Sequence, residues 1–508
     1  MDILVYMLPF LPGSPPATLS LGVTVMPEWF QCEGIEPVLD RLQAAGADAL
    51  VTSPYLLTIA AQDVGAREPP PDGDAGTVRP LERSLWGKRE TWVRTAPSFV
   101  HDLSRYQGLR YQPSPPGDLT LAQPHFMDEV MEAAQRRGIA VYFQVMAASP
   151  PGYRVQFSGA VAADQCLGPD DQLHSERVDK NASLASPHVH AYGAALLREL
   201  AERYPGLHGL RIDWPEYPPY DLRSALFDFS AHGQQSLGEL GVDAQALARS
   251  LVVALRGWQD AARGAAGAGA AAVRRQLRDA GWDDCFTDRG LGAPLWASKR
   301  LAVGKMLQAY RSSIDLASGV RKRLEPQVFP GPFDQWTGTN WDAMGRTCDA
   351  VGVKLYTMHW PMIARYWARD LLGTSASTPA LDAVTEAIAE WMDLLDGPLS
   401  PGQSLTYPPP SQAHPVGAKA QRRKIEAARQ QAGALPVIAF AHAYGPIDDV
   451  MTRLEIAMQA STAPGGSGRV WLNRYGYLSD QKLYEVGHVL RRCRAQLAQQ
   501  QSAQPQSR

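Results

Sequence analysis

Short apolar runs alternate with amphipathic stretches along nearly the whole chain. Eight runs predict strands: Leu21–Met26, Ala47–Ser53, Ile139–Met146, Leu207–Ile212, Glu325–Phe329, Ala350–Thr357, Leu435–Ala441 and Arg469–Asn473. Most are nearly continuous in hydrophobicity, which is how parallel strands covered on both faces look. Helical patterns lie between them, at Pro37–Ala45, His125–Arg137, Pro187–Tyr204, Ala297–Arg323, Thr339–Cys348, Met362–Leu372, Ala380–Leu395, Asp448–Ala460 and Gln481–Leu497. Eight β/α alternations without a large composition break predict an α/β protein with a single (β/α)8 barrel over residues 1–497. The alternative is a doubly wound open sheet. No GxGxxG opens a helix, which weakens a dinucleotide-binding version of it.

Three stretches do not read as barrel scaffold. Asp63–Pro124, after the second strand, is a long loop rich in Pro, Gly and Arg, and its aromatic residues predict packing over the barrel mouth. Ser149–Ala182, after the third strand, is another long loop. Residues 221–294, after the fourth, read as a helical insertion with an Ala/Gly-rich centre. The Gln- and Ser-rich end, 498–508, predicts a solvated, disordered tail. The apolar start, Met1–Pro12, lacks a basic flank and is broken by prolines, so it reads as an edge segment of the fold rather than a signal peptide.

Composition narrows the chemistry. The net charge of −3 gives no footprint for nucleic acid. No run approaches 18 apolar residues, so no membrane span is expected. Cys32, Cys166, Cys285, Cys348 and Cys493 are odd in number and form no CxxC pair, which fits a reducing, cytoplasmic setting. No HExxH occurs. His188 and His190 are two apart on a helical run and do not share a face, so no metal is expected.

Barrel enzymes carry their chemistry at the C-terminal ends of the strands. Under this register those ends hold Glu28 and Trp29; Tyr55; Gln144; Asp213, Trp214, Glu216 and Tyr217; Asp334, Gln335 and Trp336; Tyr356, His359 and Trp360; His442 and Tyr444; and Arg474. Acids recur there beside Trp or Tyr. Sugar rings lay apolar C–H faces on aromatic planes, while carboxylates and amides take their hydroxyls. Cleaving a glycosidic bond needs two carboxyl groups, one to protonate the leaving oxygen and one to attack or activate water.

Asp213 is therefore the candidate nucleophile or base, with Arg211 two residues earlier on the same strand face. Glu216 or Glu28 is the candidate acid, its carboxyl raised by apolar neighbours. Trp29, Tyr55, Gln144, Arg211, Trp214, Tyr217, Tyr356, His359, Trp360, His442, Tyr444 and Arg474 are candidate substrate contacts. Each has a plainer alternative: a turn cap for Asp213, a structural ion pair for Glu216, a local hydrogen bond for the histidines, core packing for Trp214, Trp360 and Tyr444. The aromatic and acidic setting favours a functional Asp213.

The segment Asn181-Ala-Ser-Leu-Ala-Ser-Pro187, then a helix, then Tyr204-Pro-Gly-Leu-His-Gly-Leu-Arg-Ile-Asp213-Trp-Pro-Glu-Tyr-Pro218, resembles bacterial glycoside-hydrolase-like TIM barrels. Cys348-Asp-Ala-Val-Gly-Val-Lys-Leu-Tyr356 follows the same layout, and the likeness runs from about residue 20 to 495. The resemblance implies a TIM barrel and carbohydrate-active chemistry with Asp213 central, hence a carbohydrate substrate, and paired-carboxylate chemistry requires no cofactor. Gly209–Asp213 also resembles the α-amylase nucleophile strand. That match stops there: no Asn-His pair follows the third strand, no Glu the fifth, and Ala443 follows His442. Two rivals remain from other classes. One is a metal-dependent barrel hydrolase or isomerase using Asp213, His359 and His442. The other is a non-catalytic carbohydrate-binding barrel.

Overall fold

The structure is a computed structural model that describes residues 16–70, 79–150, 154, 159–173, 181–399 and 403–503. The expected N-terminal edge segment, Met1–Pro12, lies outside the described residues. Among those described, the strands are β1 (Ser20–Thr24), β2 (Ala49–Thr52), β3 (Tyr55–Ile59), β4 (Ala66–Glu68), β5 (Thr91–Pro97), β6 (Ala140–Met146), β7 (Gly209–Asp213), β8 (Arg323–Val328), β9 (Val351–Leu355), β10 (Val437–His442) and β11 (Arg469–Asn473).

Eight of them close into a parallel barrel in the order β1-β11-β10-β9-β8-β7-β6-β2. These are the eight predicted strands. Closure is carried by β1, which pairs with β11 (Ser20 opposite Arg469) and with β2 (Gly22 opposite Ala49). The near-continuous hydrophobicity has its predicted cause: outward residues such as Leu21, Val23, Leu210, Ile212, Val351 and Val353 are buried under the helices.

The inward residues are unusually polar for a packed barrel. Arg211 on β7 reaches across to Thr24 on β1 (2.9 Å) and lies 4.3 Å and 5.1 Å from the ring centres of Phe440 on β10 and Trp471 on β11. Trp471 fills the middle of the barrel. A Cβ at position 22 would meet its ring at 2.0 Å, which is why β1 carries glycine there. Nearer the strand starts, Glu325 on β8 accepts from Arg469 on β11 (2.7 Å) and from Arg323 (2.7 Å), and Arg469 also donates to the Tyr142 hydroxyl (3.2 Å). This paired, buried cluster closes the N-terminal end.

The described residues after the second barrel strand carry regular structure where the sequence reads as a packed loop. They contribute a three-stranded antiparallel sheet, β3-β5-β4, in which Tyr55 faces Pro97. They are tied to the barrel helix Pro187–Arg203 through Glu199, which accepts from the Tyr106 hydroxyl (2.6 Å) and the Asp102 backbone N–H (2.6 Å). The insertion after the fourth strand is helical as predicted, its longest helix being Ala244–Ala265. Lys299 on the helix Ala293–Asp315 docks it, donating to the carbonyls of Ala225 (2.5 Å) and Trp336 (2.8 Å). Burial pushes that lysine down to about 7.

Two expectations change. Glu28 and Trp29, read as lying at a strand end, belong to a short helix, Pro27–Glu33, with proline in its first turn. The last helix, Asp480–Ala503, extends into the segment 498–508 that reads as a tail. All five cysteines are free, and no helix among the described residues is long and apolar enough to cross a membrane.

Candidate active site

The C-terminal ends of β7 and β9 build the centre of the barrel mouth. Asp213 ends β7. Its Oδ1 lies 3.3 Å from Lys354 Nζ and accepts the Trp214 backbone N–H (3.0 Å), and its Oδ2 accepts from Gln144 on β6 (3.2 Å). The Asp213 side chain keeps 19% of its surface exposed, whereas Lys354 has none. Lys354 sits between two carboxylates, because its Nζ also donates to Glu216 Oε1 (3.1 Å).

Arg211 does point the same way as Asp213, but it does not touch it. Its guanidinium donates to Gln144 Oε1 (2.9 Å), and the Gln144 amide passes a hydrogen bond on to Asp213. With no carboxylate against it, burial pushes Arg211 down to about 10.

Glu216 does not present itself to the mouth. It is 1% exposed, and every group on it is a donor: Lys354, the Phe329 backbone N–H (3.0 Å) and the Thr339 hydroxyl (3.4 Å). Burial pushes its carboxyl above the ordinary range, against the pull of Lys354. Such a group positions Lys354; it has no free face on which to meet a substrate.

Glu28 is closed in as well. On the helix Pro27–Glu33 it accepts from Arg154 (2.7 Å) and the Tyr55 hydroxyl (3.1 Å), and it is fully buried. Arg154 and Arg474 both pair with Glu68 from β4. The two glutamates move in opposite directions. Burial, reinforced by Glu68, pushes the Glu28 carboxyl up against Arg154. Burial also acts on Glu68, but Arg154 and Arg474 together outweigh it and hold that carboxyl below its ordinary value.

Among the other predicted contacts, Trp214 and Tyr356 stand beside Asp213, while His359 and His442 meet the Tyr356 ring (5.6 and 5.1 Å between rings). Trp214 has a left-handed backbone (φ 50°), uncommon for a bulky residue. The Asp213 carboxylate on its N–H and the Asn181 side-chain amide on its carbonyl (3.3 Å) hold it there. Its ring lies 6.2 Å from Tyr220, which in turn meets His359 (5.8 Å between rings). Tyr356 accepts from Asn473 on β11 (3.0 Å), and burial with the nearby Asp213 charge raises its phenol well above 10. His442 accepts the Tyr444 backbone N–H at Nδ1 (3.0 Å), so the neutral ring carries its proton on Nε2. Burial, aided by Arg79, keeps it neutral, well below the usual histidine range.

Four predicted contacts sit elsewhere. Trp29 is fully buried against Tyr475 (5.8 Å between rings). Trp360 is fully buried under Lys424 (5.5 Å). Tyr217 packs behind the mouth on Lys299, with its hydroxyl 3.4 Å from Asp228. Tyr444 donates to the Pro408 carbonyl (2.9 Å) and backs the histidines rather than lining the opening. In each case helix entry or loop packing directs the ring into the core, which strand-end position alone does not reveal. Tyr55 and Arg474 belong to the closed ion-pair cluster.

Sequence reasoning passed over Lys354, Glu68 and Arg154 as site residues. Lys354 had a readable signal: a lysine inside the otherwise apolar run Val351-Gly-Val-Lys-Leu355 must find carboxylates. Glu68 had none, since it arrives from a remote loop. Among the described residues no group of three His, Cys, Asp or Glu side chains is placed to hold a metal ion, and Asp213, His359 and His442 do not converge as one.

No protein-family model and no curated protein matches this sequence. Solved structures align with this chain at low identity. The beta-galactosidase from the psychrophilic Marinomonas ef1 aligns over 96% of this chain at 10% identity with a TM-score of 0.49, and this chain spans only 61% of its length. The catalytic domain of beta-amylase from Paenibacillus polymyxa aligns over 97% of this chain and 100% of its own, at 10% identity and a TM-score of 0.47. A chitinase from Chromobacterium violaceum aligns over 93% at 10% identity and a TM-score of 0.35. At these values the barrel assignment rests on this chain's own strand register.

Proposed function

We propose that the protein is a glycoside hydrolase that acts on an oligosaccharide or glycoconjugate at the barrel mouth, with Asp213 as its reacting carboxylate. The observation that carries this reading is the setting of Asp213. It is a partly exposed carboxylate at a barrel strand end, oriented by three donors and flanked by Trp214 and Tyr356. Gln144, Lys354 and the Trp214 N–H restrict its rotation, which is the pre-organisation a nucleophile or base requires. The aromatic rings supply faces for sugar C–H groups, and the neutral His442 and Tyr356 supply donors for hydroxyls.

The paired-carboxylate scheme needs a second group. Glu216 and Glu28, its two sequence candidates, are both enclosed by donors. Glu216 serves in this reading as the counter-charge that positions Lys354 under Asp213. The test is release of reducing sugar or aryl leaving group from a panel of α- and β-glycosides by the wild type and by Asp213→Asn. Turnover that disappears in the variant while ligand binding persists supports the reading; unchanged turnover overturns it.

One observation favours a second reading, a barrel that binds saccharide without cleaving it. Neither candidate partner offers a free carboxylate beside Asp213. Saturable binding of an oligosaccharide with no turnover across the whole panel would decide for it.

A further inference from the structure

Outside the mouth, a second concave site of about 640 Å³ opens beside the chain that follows β8. Its volume falls in the range of small-molecule sites. Asp334, on the short helix Phe333–Thr337, forms one wall, and its Oδ2 accepts the Trp341 indole N–H (3.1 Å). Asp334 is only 5% exposed, and Trp341 is half-buried at the rim. Gln335 and Asp342 add a side-chain amide and a further carboxylate, while the Gln431 amide is taken up by Asp334 and the guanidinium of Arg300 by Asp288 (3.1 Å).

The lining chemistry selects a ligand class. Asp334 and Asp342 face the cavity with one arginine already paired, which disfavours phosphates and other anions. No group of three metal-ligating side chains occurs there among the described residues. What remains is an indole fixed by the Asp334 carboxylate, the carboxylate of Asp342 and the amide of Gln335, which is a surface for hydroxyl groups presented by a ring with apolar faces. Burial pushes the Asp334 carboxyl up to about 6, in keeping with a group shielded from water inside a pocket.

We propose that this cavity is a second saccharide-binding site, separate from the barrel mouth, that takes a neutral disaccharide against Trp341, which Asp334 holds in place, with Asp342 and Gln335 on its hydroxyls. Thr339 lines the cavity and also donates to Glu216 (3.4 Å), which is buried behind the mouth. The proposal does not depend on whether the mouth is catalytic.

The test is calorimetric titration of the full chain with maltose and with cellobiose, for the wild type, Trp341→Ala, Gln335→Ala and Trp214→Ala. Binding of at least one disaccharide is expected to weaken about ten-fold or more in Trp341→Ala. It should weaken several-fold in Gln335→Ala, which leaves the Trp341–Asp334 hydrogen bond in place, and a site of the wild-type affinity should remain in Trp214→Ala, which alters the mouth alone. Gln335→Ala carries the test if Trp341→Ala does not fold. Failure of both disaccharides to bind overturns the proposal. So does binding that Trp214→Ala abolishes and Trp341→Ala or Gln335→Ala leaves unchanged.

Discussion

Two clusters of carboxylates and cations stand at the same end of this barrel. In one, Lys354 lies between Asp213 and Glu216. In the other, Arg154 and Arg474 join Glu28 and Glu68. Both bring their charges together by long-range folding, and both contain a buried cation. They differ in one respect. Every carboxylate of the second cluster is enclosed, whereas Asp213 in the first keeps an open face. A closed ion-pair cluster stitches loops to a barrel; an open one can meet a ligand. Charged residues at a barrel mouth are thus not equivalent, and exposure separates them better than proximity to the strand ends does.

The largest expected effect tests the open cluster. Asp213→Asn keeps the shape and the hydrogen bond from Gln144 but removes the charge. Turnover should fall by about 10³-fold with little change in melting temperature, measured by initial rates and thermal denaturation. Equal losses of activity in Glu28→Gln, without loss of stability, would erase the distinction between the two clusters.

Next comes the cation beneath it. Lys354→Met leaves the buried Glu216 without its counter-charge and should cost about 3–5 kcal/mol in urea unfolding. Adding Glu216→Gln should return much of that loss, because the double variant has no unpaired buried charge. A double variant as unstable as Lys354→Met would show that Lys354 acts through packing alone.

The closed cluster gives an ordering rather than a single value. Glu68 has two arginines and Glu28 has one, so Glu68→Gln should destabilise more than Glu28→Gln at neutral pH, by roughly 1–2 kcal/mol. The pH dependence should differ in sign. The Glu68 carboxyl is held below its ordinary value of 4.5, so its contribution is present above that pH and lost as pH falls through its folded value. The Glu28 carboxyl is raised, so its contribution is full below 4.5 and declines as pH rises through its folded value. Urea melts of both variants from acid to neutral pH check this. Parallel curves would mean that the two glutamates share one environment.

The smallest effect concerns the relay. Gln144→Ala breaks the link from Arg211 to Asp213 and should lower turnover by about ten-fold while leaving the Asp213–Lys354 contact. A rate unchanged by this variant would mean that Lys354 and the Trp214 N–H orient Asp213 without it.

The sequence by itself determined the barrel. Its eight apolar runs each bury both faces, and a chain with that repeating pattern has few other ways to cover every strand. It also determined that Asp213 stands at the end of the fourth barrel strand, because strand polarity and the barrel's chemistry-bearing end are properties of local order. Only the tertiary structure decided what surrounds Asp213. Glu216, three residues away, turns under the strand end because Phe329, Thr339 and Lys354 hold it there. Glu28 is drawn into a helix and matched to Arg154 and Tyr55. Trp29 and Trp360, equally close to strand ends, are swallowed by helices that begin at those positions. Burial and ion pairing depend on which remote loops arrive, and Glu68 and Arg154 come from loops whose paths no local pattern encodes.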